Sequence, residues 1–132
     1  MIVGSGIDAV EIERIRRALA RHGERFARRV FTARERARCE GRRAEAACFA
    51  RHFAAKEAGM KALGTGWAAG VSWLDLELTE ERGRLELALS GAAARAARAL
   101  GGSRLWVSTA ASSTLAVAEV LLEDPSRSAG AD

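Results

Sequence analysis

No apolar run in this 132-residue chain approaches the ~20 residues that cross a bilayer, which excludes a membrane-spanning helix. The first eight residues carry no basic cluster and reach an acid at Asp8, so a secretion signal is not expected. Cysteine is scarce. Cys39 and Cys48 are neither closely spaced with histidines nor part of a dense framework, so neither a metal site nor a disulfide scaffold is expected, and a reducing cytoplasm is the expected compartment. No repeat or linker interrupts the chain. Lysine is scarcer than its charge class implies: among 21 Lys and Arg residues, only Lys56 and Lys61 are lysines.

With 48% hydrophobic and 29% charged residues, the composition is that of one globular domain. We place it at residues 1–123, with a disordered polar tail over 124–132. The formal charge of +4 is unevenly spread, because residues 11–51 hold 13 Arg against 6 Glu, a net +7. Such a segment faces something acidic, whether nucleic acid, a membrane surface or a protein. Phe26, Phe31 and Phe49 recur there at core-like spacing rather than as a stacking platform, which argues against nucleic acid.

Ile2–Ile7 reads as a strand whose Gly4 and Gly6 imply close backbone approach or a bend. Asp8 follows. It either caps a helix beginning near Val10, with Glu11 as capping-box partner, or stands at a strand end as a metal ligand. Helices are expected over Val10–Arg21 and Glu24–Phe31, then from the capping box Thr32–Glu35 to Gly41. A long helix follows over Glu45–Leu63. Strands are expected over 71–78 and 85–89, meeting at a turn through Arg82-Gly83. A helix capped by Ser90 runs to Leu100, and strands at 105–109 and 115–122 complete the domain.

The long helix carries an apolar stripe of Ala46, Phe49, Phe53, Met60 and Leu63, with Lys56 set inside it. Burying an unpaired ammonium costs several kcal/mol, on the order of a lost buried ion pair, so Lys56 must reach a cleft, a carboxylate or an anionic ligand. Glu57 and Lys61 fall one turn apart on the stripe's edge. Gly64-Thr65-Gly66 ends the helix. A helix C-terminus repels phosphate, so this loop would bind one only through a nest of amides and the Thr65 hydroxyl, with Lys61 supplying charge.

Two blocks then resemble the signatures of holo-[acyl carrier protein] synthases: Gly6-Ile7-Asp8-Ala9-Val10-Glu11-Ile12-Glu13-Arg14-Ile15, and Phe53-Ala54-Ala55-Lys56-Glu57-Ala58 through Lys61-Ala62-Leu63-Gly64-Thr65-Gly66. The resemblance implies an α+β 4′-phosphopantetheinyl transferase, with an antiparallel sheet packed on a long central helix. It implies a homotrimer with active sites at subunit interfaces. Such an enzyme moves phosphopantetheine from coenzyme A to a serine of an acidic apo acyl carrier protein, of fatty-acid or polyketide synthesis, and releases adenosine 3′,5′-bisphosphate with Mg²⁺. Asp8 and Glu57 would be the metal ligands, in keeping with the one or two carboxylates that Mg²⁺ usually takes. Either Glu57 or a metal-bound water would be the base. Lys61, Gly64, Thr65 and Gly66 would contact the CoA phosphates, with Lys56 and His52 beside them, and Arg14, Arg17 and Arg21 would dock the carrier protein. Nucleic acid and membrane are not expected partners.

Two positions depart from the family pattern. Ala111 stands where a histidine is usual, and His52 where an arginine often precedes the phenylalanine. Both are expected toward the nucleotide end of CoA, so weaker or rearranged CoA binding is expected, with the chemistry kept. A non-catalytic relative that binds CoA or carrier protein is the alternative.

Overall fold

In the computed structural model, residues 1–64 and 70–128 are described. Three strands, β1 (Ile2–Glu11), β5 (Leu115–Glu123) and β4 (Arg104–Ala111), form an antiparallel sheet in the order β1-β5-β4. A separate hairpin pairs β2 (Leu76–Glu81) with β3 (Arg84–Leu89). Among the described residues, four α-helices complete the fold: α1 (Ile12–Val30), α2 (Ala33–Cys39), α3 (Glu45–Leu63) and α4 (Gly91–Ala99).

α3 occupies its expected span and is the hub. It lies across β1 and β5 on one side and meets α1, α2, α4 and β2 on the others. Twelve of its nineteen residues are buried, so the expected single apolar stripe is replaced by burial almost all round. Contact with β1 depends on the strand glycines. A methyl on Gly6 would sit 2.0 Å from the Ala58 carbonyl oxygen, and one on Gly4 would sit 2.1 Å from that of Ala62. Gly6→Ala should therefore push α3 off β1 and cost about 3 kcal/mol. Thermal unfolding would check this, and an unchanged midpoint would mean that the helix seats elsewhere.

Several elements differ locally from expectation. β1 runs on to Glu11, whose backbone precedes α1 without a side-chain cap bond. The two helices expected before residue 31 form one element, kinked at Gly23, whose φ of 51° and ψ of −132° break the helical path. α2 has the expected capping box: the Thr32 hydroxyl accepts from Glu35 N, and the Glu35 carboxylate accepts from Thr32 N. Trp73–Asp75 makes a 3₁₀ turn where the strand was expected to begin, and β2 starts only at Leu76. Arg82 and Gly83 both have positive φ in the hairpin turn, the conformation that matches strand twist. Ser90 precedes α4, but its side chain makes no cap bond.

Asp124, at the expected start of the tail, is buried. The Met1 ammonium donates to the carbonyls of Asp124 and Arg127 at 2.9 and 2.6 Å. Residues 124–128 thus fold back on the start of β1, and 129–132 lie outside the described residues.

The sheet has two unlike faces. Gly4, Gly6, Asp8 and Val10 face α3 beside their partners Leu122, Val120, Ala118 and Ala116. The other face leaves Ile7 (66%), Trp106 (53%), Leu115 (43%) and Val117 (38%) exposed. Among the described residues, no helix is long and apolar enough to cross a membrane.

Candidate active site

Close approach of α3 to β1 brings together three charged side chains that are distant in sequence. Lys61 Nζ donates to Asp8 Oδ1 at 2.9 Å and to the Ile7 carbonyl at 3.1 Å. Asp8 is the less exposed partner, its side chain 16% accessible against 53% for Lys61. That bond, and the charge of Asp8, hold the lysine above its usual range. Asp8 sits within β1 opposite Ala118, so of the two roles open to it, the cap of α1 is eliminated. A residue four positions before the helix, in extended strand, cannot reach the first-turn amides.

Glu57 is half-buried one turn before Lys61. Its carboxyl is raised above the ordinary 4.5, first by burial and then by the negative charge of Asp8, against the opposing fields of Lys61 and Arg14. A carboxylate that a neighbouring one makes costlier to ionise is suited to share a cation with it. The donors are hard oxygens with solvent access, as a hydrated divalent ion requires. Asp8 and Glu57 thus fit Mg²⁺, and Lys61, bonded to Asp8 yet half-exposed, leaves a cation accessible beside them. Arg14, Arg17 and Arg21 are exposed along α1, Arg14 close enough to act on Glu57.

Other expected site residues fall elsewhere. Lys56 is not in the cleft. It is fully buried, and its Nζ donates at 2.6 Å to Glu35 Oε1, also fully buried. Of the destinations open to it, the carboxylate is the one taken, so a role in binding coenzyme A is corrected. Burial lowers the Lys56 pKa, partly offset by Glu35. The Glu35 carboxylate also accepts from the amides of Thr32 and Leu78 at 2.9 and 3.0 Å. Sequence reading recognised Glu35 only as a capping partner. The signal pointing to it was Lys56 itself, an ammonium in an apolar stripe that demanded an acid.

His52 is corrected too. It is 2% exposed, five residues before Glu57 and so about 140° around the helix from it. Its Nδ1 lies 2.9 Å from the Cys48 carbonyl and 3.6 Å from Cys39 Sγ, its Nε2 has no partner among the described residues, and burial lowers its pKa. A nucleotide cannot reach it there. Cys39 and Cys48 are bonded as a disulfide with Cα atoms 5.5 Å apart, contrary to expectation, because the last residue of α2 packs on the first turn of α3. Gly64 closes α3 in the expected left-handed conformation, φ 72°, and its amide donates to the Lys61 carbonyl at 3.1 Å. That amide is committed to the helix end. Thr65 and Gly66 lie outside the described residues.

Fold and site together define an α+β domain in which α3, seated on β1, brings Glu57 and Lys61 beside Asp8. The chain belongs to the 4′-phosphopantetheinyl transferase superfamily, whose family model matches residues 4–114. It is 44% identical to the holo-[acyl-carrier-protein] synthase of Solibacter usitatus, over 94% of this chain and all of that one. With the Methylobacterium radiotolerans synthase it shares 51% identity over 93% of this chain and 94% of that one. Among solved structures, the Neisseria meningitidis synthase superposes with a TM-score of 0.84 at 31% identity, covering 93% of this chain and 99% of the other. The Bacillus anthracis synthase in complex with CoA (3′,5′-ADP) gives 0.76 at 36% identity, over 92% and 96%.

Proposed function

We propose that this chain is a holo-[acyl-carrier-protein] synthase, transferring 4′-phosphopantetheine from coenzyme A to a serine of an apo acyl carrier protein. The observation that carries this reading is the convergence of Asp8, Glu57 and Lys61 where α3 seats on the β1 glycines. The carrier's serine oxygen attacks the β-phosphorus of coenzyme A. A new O–P bond forms as the bond to the bridging oxygen breaks, and adenosine 3′,5′-bisphosphate departs. Glu57, made more basic by burial and by Asp8, accepts the serine proton. Lys61 binds a phosphate oxygen and offsets charge growing on the leaving group. Mg²⁺, held by Asp8 and Glu57, would act as a Lewis acid on the diphosphate when bound. Arg14, Arg17 and Arg21 steer the acidic carrier by long-range attraction that salt weakens. Incubation with CoA, Mg²⁺ and apo carrier proteins should add one phosphopantetheine by mass spectrometry. CoA binding without any mass gain would instead support the non-catalytic relative.

The exposed apolar sheet face supports the trimer. Ile7 and Asp8 are neighbours on β1 but point to opposite faces of the sheet, so a protomer laid on that face would brace the strand that carries Asp8 from behind. Ile7→Lys should give a monomer in analytical ultracentrifugation, with turnover reduced at least about 10-fold. A trimeric, active variant would remove this face from the interface. At the end of β4, Ala111 is exposed and leaves room for a larger side chain. Ala111→His should lower the apparent KM for CoA by supplying a phosphate partner, and an unchanged or raised KM would separate residue 111 from the nucleotide.

A further inference from the structure

We propose that the buried Glu35–Lys56 pair is a positioning device, which sets the rotation of α3 about its own axis and so holds Glu57 and Lys61 opposite Asp8. This rests on the reading of Asp8 and Glu57 as cation ligands.

Shape alone indexes α3 poorly. Half of its twelve buried residues are small, namely Ala50, Ala54, Ala55, Ala58, Gly59 and Ala62, Ala58 and Ala62 meet the β1 glycines, and the Phe49 ring and the Cys39–Cys48 disulfide anchor the helix two turns before Glu57. Small residues permit close approach but interlock weakly. A roll of about 20° would move a carboxylate ~6 Å from the helix axis by about 2 Å. A functional group needs to be held within about 0.5 Å.

The pair supplies what packing lacks. Glu35 is held by the amide of Thr32 at the start of α2 and by that of Leu78 in β2. Its remaining partner is Lys56, at 2.6 Å, with the ammonium also 5.6 Å from the centre of the Phe31 ring. One carboxylate fixed to two other elements thereby pins α3 at the residue next to Glu57. Stability does not require this arrangement, because apolar side chains of similar volume commonly replace a buried ion pair without loss. Fixing register is the best-attested use of such groups.

The test compares the parent with Glu35→Gln/Lys56→Met, which keeps side-chain volume and removes both charges. Thermal unfolding, Mn²⁺ binding by electron paramagnetic resonance, and steady-state kinetics are measured on each. We expect a midpoint within a few degrees of the parent, Mn²⁺ affinity at least 10-fold weaker, and lower kcat with KM for carrier protein unchanged. Parental Mn²⁺ affinity in the folded double variant would overturn the proposal, since a purely structural pair would alter the midpoint alone. Should the double variant not fold, Glu35→Asp, which keeps both charges and shortens the reach between them, is measured likewise. A smaller loss of Mn²⁺ affinity supports the device, and none overturns it. Asp8→Asn identifies the site read: if it binds Mn²⁺ as the parent does, the cation assignment falls and the proposal with it.

Discussion

Glu57→Gln is expected to lower phosphopantetheine transfer on the order of 10³-fold, the scale seen when a group that stabilises transition-state charge is removed, while leaving the fold intact. The amide matches the carboxylate in size but provides no charge for a cation and no base for the serine proton. Stability should not suffer, because the substitution removes the ionised group that burial and Asp8 disfavour. The same shift sets the pH behaviour of the parent. A carboxyl raised in the folded state contributes stability at low pH that is lost as pH rises through its folded pKa. Activity, which needs the ionised form, should rise with pH, and bound Mg²⁺, which favours that form, should move the rise to lower pH than in the metal-free protein. Single-turnover rates across pH, beside thermal midpoints, would check the opposite slopes. Turnover of the variant within 10-fold of the parent would remove Glu57 from the reaction.

Lys56→Met is expected to cost about 3–5 kcal/mol, the price of a buried carboxylate left without its counter-ion. Glu35 would remain fully buried with only the two amide donors of Thr32 and Leu78. Removing Glu35's charge as well should recover much of the loss, so the single variant should be less stable than the double. Denaturant unfolding of the parent, the single and the double variant measures this coupling directly. A Lys56→Met variant as stable as the parent would show that Glu35 finds another partner or becomes neutral at little cost.

Lys56 and Lys61 show how far the pattern could be read. Their scarcity marked α3 as the functional helix, and the spacing of Glu57 and Lys61 placed them on one face, as observed. The two glycines of β1 implied close approach or a bend, and the structure shows the approach, to Ala58 and Ala62. Lys56 and His52 were misplaced, and Glu35 was seen only as the capping partner that it also is, because local pattern describes a residue's own element and not its tertiary neighbour. Cys39 and Cys48 likewise gave no spacing signal. Only the packing of the end of α2 on the first turn of α3 brings their sulfurs together.

By itself the sequence determined the elements that chain-local physics controls: the span of α3, the Thr32–Glu35 box, the Arg82-Gly83 turn and the Gly64 stop. Periodicity, capping and backbone conformation act over a few residues and leave their mark there. The tertiary structure alone decided which charges meet. It laid α3 on β1 so that Lys61 reached Asp8, and it turned Lys56 inward to Glu35. Those contacts join residues 53 and 21 positions apart, and such separations are closed by burial of the whole core rather than by any local rule.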